Sequence, residues 1–302
     1  MHIKRIALCF YGQWRTGTHC INTYRKLLNC VKDQVEINVF FSLKSNTDEQ
    51  EEIAELIHST FDDIVSSVTI HFLNDPVDID NRLDTDAIKT IYGIIDTIIM
   101  KQHYESTHDT YHDAVFLLRP DVVLNPEKLF KYAIDLLTSS DDIRIWGNSP
   151  DSLICTMYNQ SLNEDTFEPL SIISNQITDQ FIIYTGTAID RFCYESMLIL
   201  KTHSEFFKIS PIHMGEILSL HTIHTKIAKR LSITILQLPK LLDDGFEPLL
   251  HMDSVGNGGI YDIHRLTVRP LPIMNYDFSK TSDINSYIET CYNLEISQSK
   301  AE

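Results

Sequence analysis

Two short stretches combine residue types suited to holding a charged ligand. The first is Gly12-Gln13-Trp14-Arg15-Thr16-Gly17, directly after the apolar run Lys4–Phe10. A glycine lets backbone approach a ligand closely. An arginine offers a planar fork to a phosphate or carboxylate. A helix starting just after would aim N–H groups at an anion. The alternative is a plain tight turn at Tyr11-Gly12 carrying a surface arginine. Position favours the ligand role, because open α/β sheets bind ligands outside the carboxyl ends of their strands. The stretch is neither G-x-G-x-x-G nor G-x-x-x-x-G-K-[ST], so a dinucleotide fingerprint and a Walker A loop are both unsupported. The second stretch is Leu117-Leu118-Arg119-Pro120-Asp121-Val122-Val123. An apolar strand ends in a charged pair, and Pro120 keeps Arg119 extended. Arg119 is suited to a diphosphate and Asp121 to a divalent cation through hard oxygens. The alternative is an Arg–Asp ion pair that closes a loop.

Three further groups carry less specific chemistry. In Thr178-Asp179-Gln180-Phe181 an acid leads into an apolar run, where it could serve as a base or hold a hydroxyl, or simply cap a strand. In His213-Met214-Gly215-Glu216 an acid opens a helix, which the helix dipole alone would explain. Asp243-Asp244-Gly245-Phe246 and Gly256-Asn257-Gly258-Gly259 read as a lid over a diphosphate or as mobile turns. Lys101, Gln102 and His103 come late in a long helix that could face the same strand ends. His221 and His224 lack an evident third metal ligand. No Ser-His-Asp, Cys-His or H-E-x-x-H arrangement is legible, so hydrolase readings find little support.

The elements that would position these groups alternate. Lys4–Phe10, Glu36–Phe41, Val68–Phe72, Ala114–Leu118 and Ile143–Trp146 read as strands. Gly17–Lys32, Glu49–Phe61, Asp84–His108 and a segment starting at Asn125-Pro126-Glu127 read as helices. This alternation predicts an α/β fold, a mostly parallel twisted sheet with helices on both faces joined by right-handed crossovers. Beyond it, Ser149–Ile177 looks loop-rich. Gln180–Tyr184 and Ser232–Leu238 read as strands, and Ile189–His203 and Met214–Arg230 as helices. The expected organisation is one catalytic-size domain over 1–240 and a C-terminal elaboration over 241–302 packed on it.

Composition narrows the partners. The 302 residues include 25 Lys+Arg against 42 Asp+Glu, a formal net charge of −17, with 43% hydrophobic residues. That is a chain with a real core whose field repels phosphate backbones and anionic lipid. Neither general nucleic-acid binding nor membrane-surface binding is expected, although a few arginines can still build a local anion pocket. No apolar stretch approaches the ~20 residues of a membrane span. MHIKRIALCFYGQWR reads as a first core strand and not as a signal peptide, which makes the cytoplasm (a host's, for a viral protein) the expected compartment. The six cysteines are scattered without a C-x-x-C pair and read as free thiols.

The runs KRIALCFYGQWRTG, INVFFSL, YHDAVFLLRPDVVL, TDQFIIYTGTAIDRF and HMGEILSLHTI occur in the order seen in a group of glycosyltransferase-like proteins of bacteria, phages and large viruses. The chain resembles that group over about residues 4–235, and its members resemble nucleotide-sugar transferases of the GT-A type. The resemblance implies a GT-A-like (Rossmann-like) fold and sugar transfer from a nucleotide-sugar donor to a hydroxyl on a glycan or other biomolecule. For such a donor, the residues read above offer a binding set of Gly12, Gln13, Arg15, Lys101, Arg119 and Asp121. Asp179 is the first choice for a catalytic base, with Glu216 second. The resemblance also raises a divalent cation, Mn²⁺ or Mg²⁺, on Asp121. The chain departs from the group at Asn38-Val39-Phe40-Phe41-Ser42, where an acid and a histidine are common. It departs again at Tyr111-His112-Asp113, which carries an extra residue, and it lacks the D-x-D clamp. Arg119 would then replace part of a metal's charge, or Asp121 would carry the metal alone. Two other readings keep the scaffold: a non-catalytic nucleotide- or glycan-binding protein, and a glycosyltransferase whose acceptor is nucleic acid.

Overall fold

The computed structural model describes residues 5–29, 31–73, 85–124, 152–159, 175–185, 187–201, 227–228, 230–237, 260–262, 282 and 286. The first strand, β1 (Arg5–Gln13), buries every residue from Ile6 to Tyr11. That unbroken run suits a strand covered on both faces. It is followed by α1 (Gly17–Asn29), β2 (Glu36–Lys44), α2 (Gln50–Phe61), β3 (Ser67–Phe72), α3 (Thr85–His108) and β4 (Ala114–Leu118). Then come β5 (Val122–Leu124), β6 (Ser152–Asn159), β7 (Asn175–Thr185), α4 (Ala188–Lys201), β8 (Thr234–Gln237) and β9 (Ile260–Asp262).

Seven strands form one sheet in the order β3-β2-β1-β4-β7-β6-β8. Neighbours are parallel except at β7, which runs against both β4 and β6. Odd residues of β1 (Ala7, Cys9, Tyr11) pack with Phe40, Val115 and Leu117 against α3 and α4, through Ile91, Ile94, Ile98, Ile189 and Phe192. Even residues face the other helices. The Phe10 ring meets Tyr24 of α1 edge-on at 4.8 Å and stacks on Phe41 at 4.5 Å, and Phe41 lies 5.9 Å from Phe61 of α2. The period of two along β1 thus builds two apolar layers, each buried side chain contributing about 1.5–3 kcal/mol. The result is the α/β arrangement the sequence predicts, a mostly parallel sheet with helices on both faces.

The sheet is mostly parallel as expected, with β7 its antiparallel member among the described residues. Two local expectations change. No turn forms at Tyr11-Gly12: β1 runs through to Gln13, its ladder with β2 extending to Gln13 opposite Lys44. The supposedly loop-rich stretch Ser149–Ile177 contains β6 and the start of β7, and those strands exist through the ladder Leu153–Tyr184, Ile154–Ile183 and Cys155–Ile182. Pairing of this kind can impose strand structure on a segment such as NQITDQ, whose side chains alone do not ask for it. Val122–Leu124 pairs antiparallel with Ile260–Asp262, which brings part of the C-terminal segment against the first half of the chain. The helix expected from Asn125, the strand Ile143–Trp146, the stretch Asp243–Gly259 and most of Met214–Arg230 lie outside the described residues. Among the described residues no helix is long and apolar enough to cross a membrane.

Candidate functional site

β1 and β4 are adjacent and parallel, with Phe10 opposite Leu118, so the residues that follow each strand emerge at one edge of the sheet. Near the end of β1, Gly12 has φ +109°, and nothing stands within 4 Å of where a Cβ would be. This backbone conformation is open to glycine and costly for other residues. The chain then turns. The Trp14 N–H donates to the Lys44 carbonyl at 3.0 Å, and the Gly17 N–H to the Trp14 carbonyl at 2.6 Å. The Trp14 indole is buried against Gly17, where a Cβ would stand 2.7 Å from the ring, and its Nε1–H donates to Thr18 Oγ1 at 2.9 Å. The indole therefore packs over the first turn of α1. The cationic side chains that meet at this edge are those of Arg15 and Arg119.

Arg15 sits in the left-handed region, φ +41°, a conformation that a non-glycine residue keeps only when its surroundings hold it. Its Nε–H donates to Gln13 Oε1 at 2.6 Å, and its Nη1 lies 3.5 Å from Asp121 Oδ2. Asp121, almost fully buried, also accepts a two-pronged bond from Arg119: Nε to Oδ1 at 2.9 Å and Nη2 to Oδ2 at 2.8 Å. Of the two alternatives for Arg119-Pro120-Asp121, the ion pair is the one observed. The ion pair exists, and it stands at the strand ends beside a second arginine. Tyr24 of α1 fixes the loop, its hydroxyl lying 2.6 Å from the Val122 carbonyl and 2.9 Å from that of Arg119. Among the described residues, two guanidinium groups thus meet on one carboxylate.

These residues do not fit a divalent cation on Asp121. Such an ion takes about six oxygen ligands. Here both carboxylate oxygens are engaged by Arg119, and the described residues contain no group of three or more His, Cys, Asp or Glu able to hold a metal. An added dication would also be repelled by each guanidinium, about 4 kcal/mol per unit charge at 4 Å in a partly buried setting.

Asp179 stands on β7. Phe181 is opposite Leu118, so position 179 lies past the end of β4, level with the arginine loop. There β7 also breaks register with β6: Cys155 pairs with Ile182 and Met157 with Ile177, leaving 178–181 opposite a single residue. Bulges of this kind re-aim a strand beside functional sites. Glu216 lies outside the described residues.

Lys101 is not part of this group. Gly93 of α3 abuts Tyr11 and Gly12, and Lys101 is eight residues further along, about 12 Å at 1.5 Å per residue. It is buried on the α3–α4 face, its Nζ 3.1 Å from Glu105 Oε2 and 3.1 Å from Asp190 Oδ1. Gln102 donates to the same Asp190 at 2.8 Å. Glu105 accepts the His112 backbone N–H at 2.8 Å and faces its Nδ1 at 2.9 Å. Asn38 Oδ1 stands 2.9 Å from His112 Nε2, and Asn38 Nδ2 donates to Ser67 at 2.9 Å. Two departures from the family pattern, Asn38 and His112, thus meet each other. Burial alone would push the Glu105 carboxyl up, but the His112 hydrogen bonds and the Lys101 charge hold it below the usual range. On the same face, burial pushes the Cys9 thiol up to about 12 and that of Cys193 up to about 11, which leaves both as inert core residues.

No family model and no curated protein matches the chain. Among solved structures, the chain is similar to a glycosyltransferase involved in the glycosylation of the major capsid of PBCV-1. The TM-score is 0.34 and the identity 11%, over 78% of this chain and 81% of that one. At that TM-score nothing of that protein's site or substrate carries over to this chain.

Proposed function

We propose that the chain transfers a sugar from a nucleotide-sugar donor to an acceptor hydroxyl on a glycan or another biomolecule. The observation that supports this is the meeting of Arg15, Arg119 and Asp121 at the carboxyl edge of β1 and β4. Glycosyl transfer expels a nucleoside diphosphate, and positive groups already in place where that charge develops lower the barrier. Arg15 and Arg119 would face the diphosphate, with Gly12 and Gln13 beside it. The acceptor oxygen bonds to the anomeric carbon, the bond from that carbon to the diphosphate oxygen breaks, and the diphosphate leaves with the electron pair. In an inverting reaction the acceptor proton passes to a carboxylate, for which Asp179 is the first candidate and Glu216 the second.

The test is a panel of nucleotide sugars incubated with the protein, read as slow donor hydrolysis and as thermal stabilisation. Hydrolysis of one donor is expected. Stabilisation without hydrolysis would instead support a non-catalytic binder, and no stabilisation by any donor would refute the reading. Arg119→Ala should weaken donor binding by about 10–100-fold, the size of a lost charge-assisted hydrogen bond. That substitution leaves a buried carboxylate short of a partner. Arg119→Lys, which keeps the charge and loses the fork, is therefore the companion variant and should also bind more weakly.

A further inference from the structure

We infer that Asp121 is a clamp for two arginines and not a cation ligand, so that the donor's diphosphate is neutralised by Arg15 and Arg119 without a divalent metal. This rests on the glycosyl-transfer reading above and concerns how the same site handles charge.

Three observations carry it. First, the Asp121 carboxylate is buried, and its two oxygens are spanned by one guanidinium in a parallel two-bond geometry, Oδ1 at 2.9 Å and Oδ2 at 2.8 Å. A cation on those oxygens would lie against the Arg119 guanidinium, whose positive charge opposes it. Second, Oδ2 also faces Nη1 of Arg15 at 3.5 Å. One carboxylate therefore draws together arginines from two separate loops, which would otherwise repel each other. Third, Arg15 is held from its other side by Gln13 and keeps a left-handed backbone. Its side chain is 37% exposed, so a ligand can reach the fork. The arrangement pre-orients positive charge in the absence of substrate, the task otherwise given to a metal in diphosphate chemistry. Asp121 is then a positioning residue: it acts through the arginines and does not touch the donor.

The experiment is calorimetric titration of the full chain with UDP, GDP, ADP and CDP, each in EDTA and again in Mn²⁺. For the nucleotide that binds, the dissociation constants in the two buffers should agree within about twofold. Asp121→Asn, checked for an intact melting transition, should weaken binding about tenfold in EDTA as well as in Mn²⁺, because the clamp is lost in both. Binding that appears only with Mn²⁺, or an Asp121→Asn variant that loses only a Mn²⁺-dependent increment, would overturn the inference and leave the nucleotide-sugar reading standing. Absence of binding by all four nucleotides in both buffers would overturn both. The comparison of buffers with the unaltered protein decides the matter even if the variant fails to fold.

Discussion

Glu105→Gln is the substitution whose cost the structure defines most closely. The Glu105 side chain is 8% exposed and faces Lys101 Nζ, itself 3% exposed, at 3.1 Å. It also accepts the His112 N–H at 2.8 Å and meets the His112 ring at 2.9 Å. Glutamine keeps the volume and one acceptor oxygen, so the His112 backbone bond survives. What disappears is the negative charge opposite a buried ammonium. Lys101 would retain Asp190, which is 34% exposed and shared with Gln102. Removing one partner of a buried pair costs about 3–5 kcal/mol, and the surviving Asp190 contact places this case near the lower figure, about 3 kcal/mol. The pH dependence follows from the lowered carboxyl value of Glu105 in the folded chain. A depressed carboxylate contributes stability that is fully present above its unfolded value, about 4.3, and is lost as pH falls through the folded value. The variant lacks that contribution at every pH. The gap between the two proteins is therefore widest near neutrality and closes in acid. Urea unfolding followed by circular dichroism at a series of pH values from neutral to strongly acidic measures it directly. A gap at neutral pH below about 1 kcal/mol, or one that stays constant into acid, would refute the view that Glu105 carries the charge balance of this face.

Tyr24→Phe removes the hydroxyl that bonds the Arg119 and Val122 carbonyls; stability should fall by about 1–2 kcal/mol in urea, and donor affinity should fall with it as the arginine loop loosens. Gly17→Ala places a methyl group 2.7 Å from the Trp14 ring. Overpacking of this kind costs about 1–3 kcal/mol, and a red shift in tryptophan emission with no loss of secondary structure is the expected signature.

The elements legible in the sequence are those whose own side chains decide them. Ala114–Leu118 reads as a buried strand and is one, residue for residue, because its five apolar residues allow little else. Gly17, Gln50 and Thr85 begin helices within a residue of where the hydrophobic stripes start. Gln180–Tyr184 reads as a strand and lies in one, whereas Ser152–Asn159 and residues 175–179 are not legible, because the ladder partner that makes them strands lies elsewhere in the chain. The same distinction runs through the site. Arg15, Arg119 and Asp121 stand out as charges against apolar strands. Their contact across 106 positions exists only because β1 pairs with β4. Tyr24 reads as one more member of a core stripe. Its ring does pack in the core, and its hydroxyl holds the loop, a double role that periodicity does not display. Lys101 reads as a candidate phosphate ligand on helix position alone. The direction in which α3 passes Gly12 carries it to the far part of that face instead.

How a protein of net charge −17 could hold the diphosphate proposed above follows from the distances involved. At physiological ionic strength a charge is felt over a Debye length of about 8 Å. Solvated acids spread over the surface therefore act weakly on a ligand seated at the end of β1, while contacts of 2.8 to 3.5 Å are unscreened. Local contacts decide, and among the described residues two arginines share one carboxylate. That carboxylate is still necessary, because guanidinium groups on two loops would otherwise swing apart into water. The covalent path fixes the rest: Arg15 leads into α1, and Tyr24 on α1 bonds the loop that carries Arg119. The two arginines are thus tied twice, through Asp121 at their tips and through α1 at their backbones. On the proposed function a single diphosphate would end within this patch, whereas duplex DNA would extend beyond it against a chain of net negative charge.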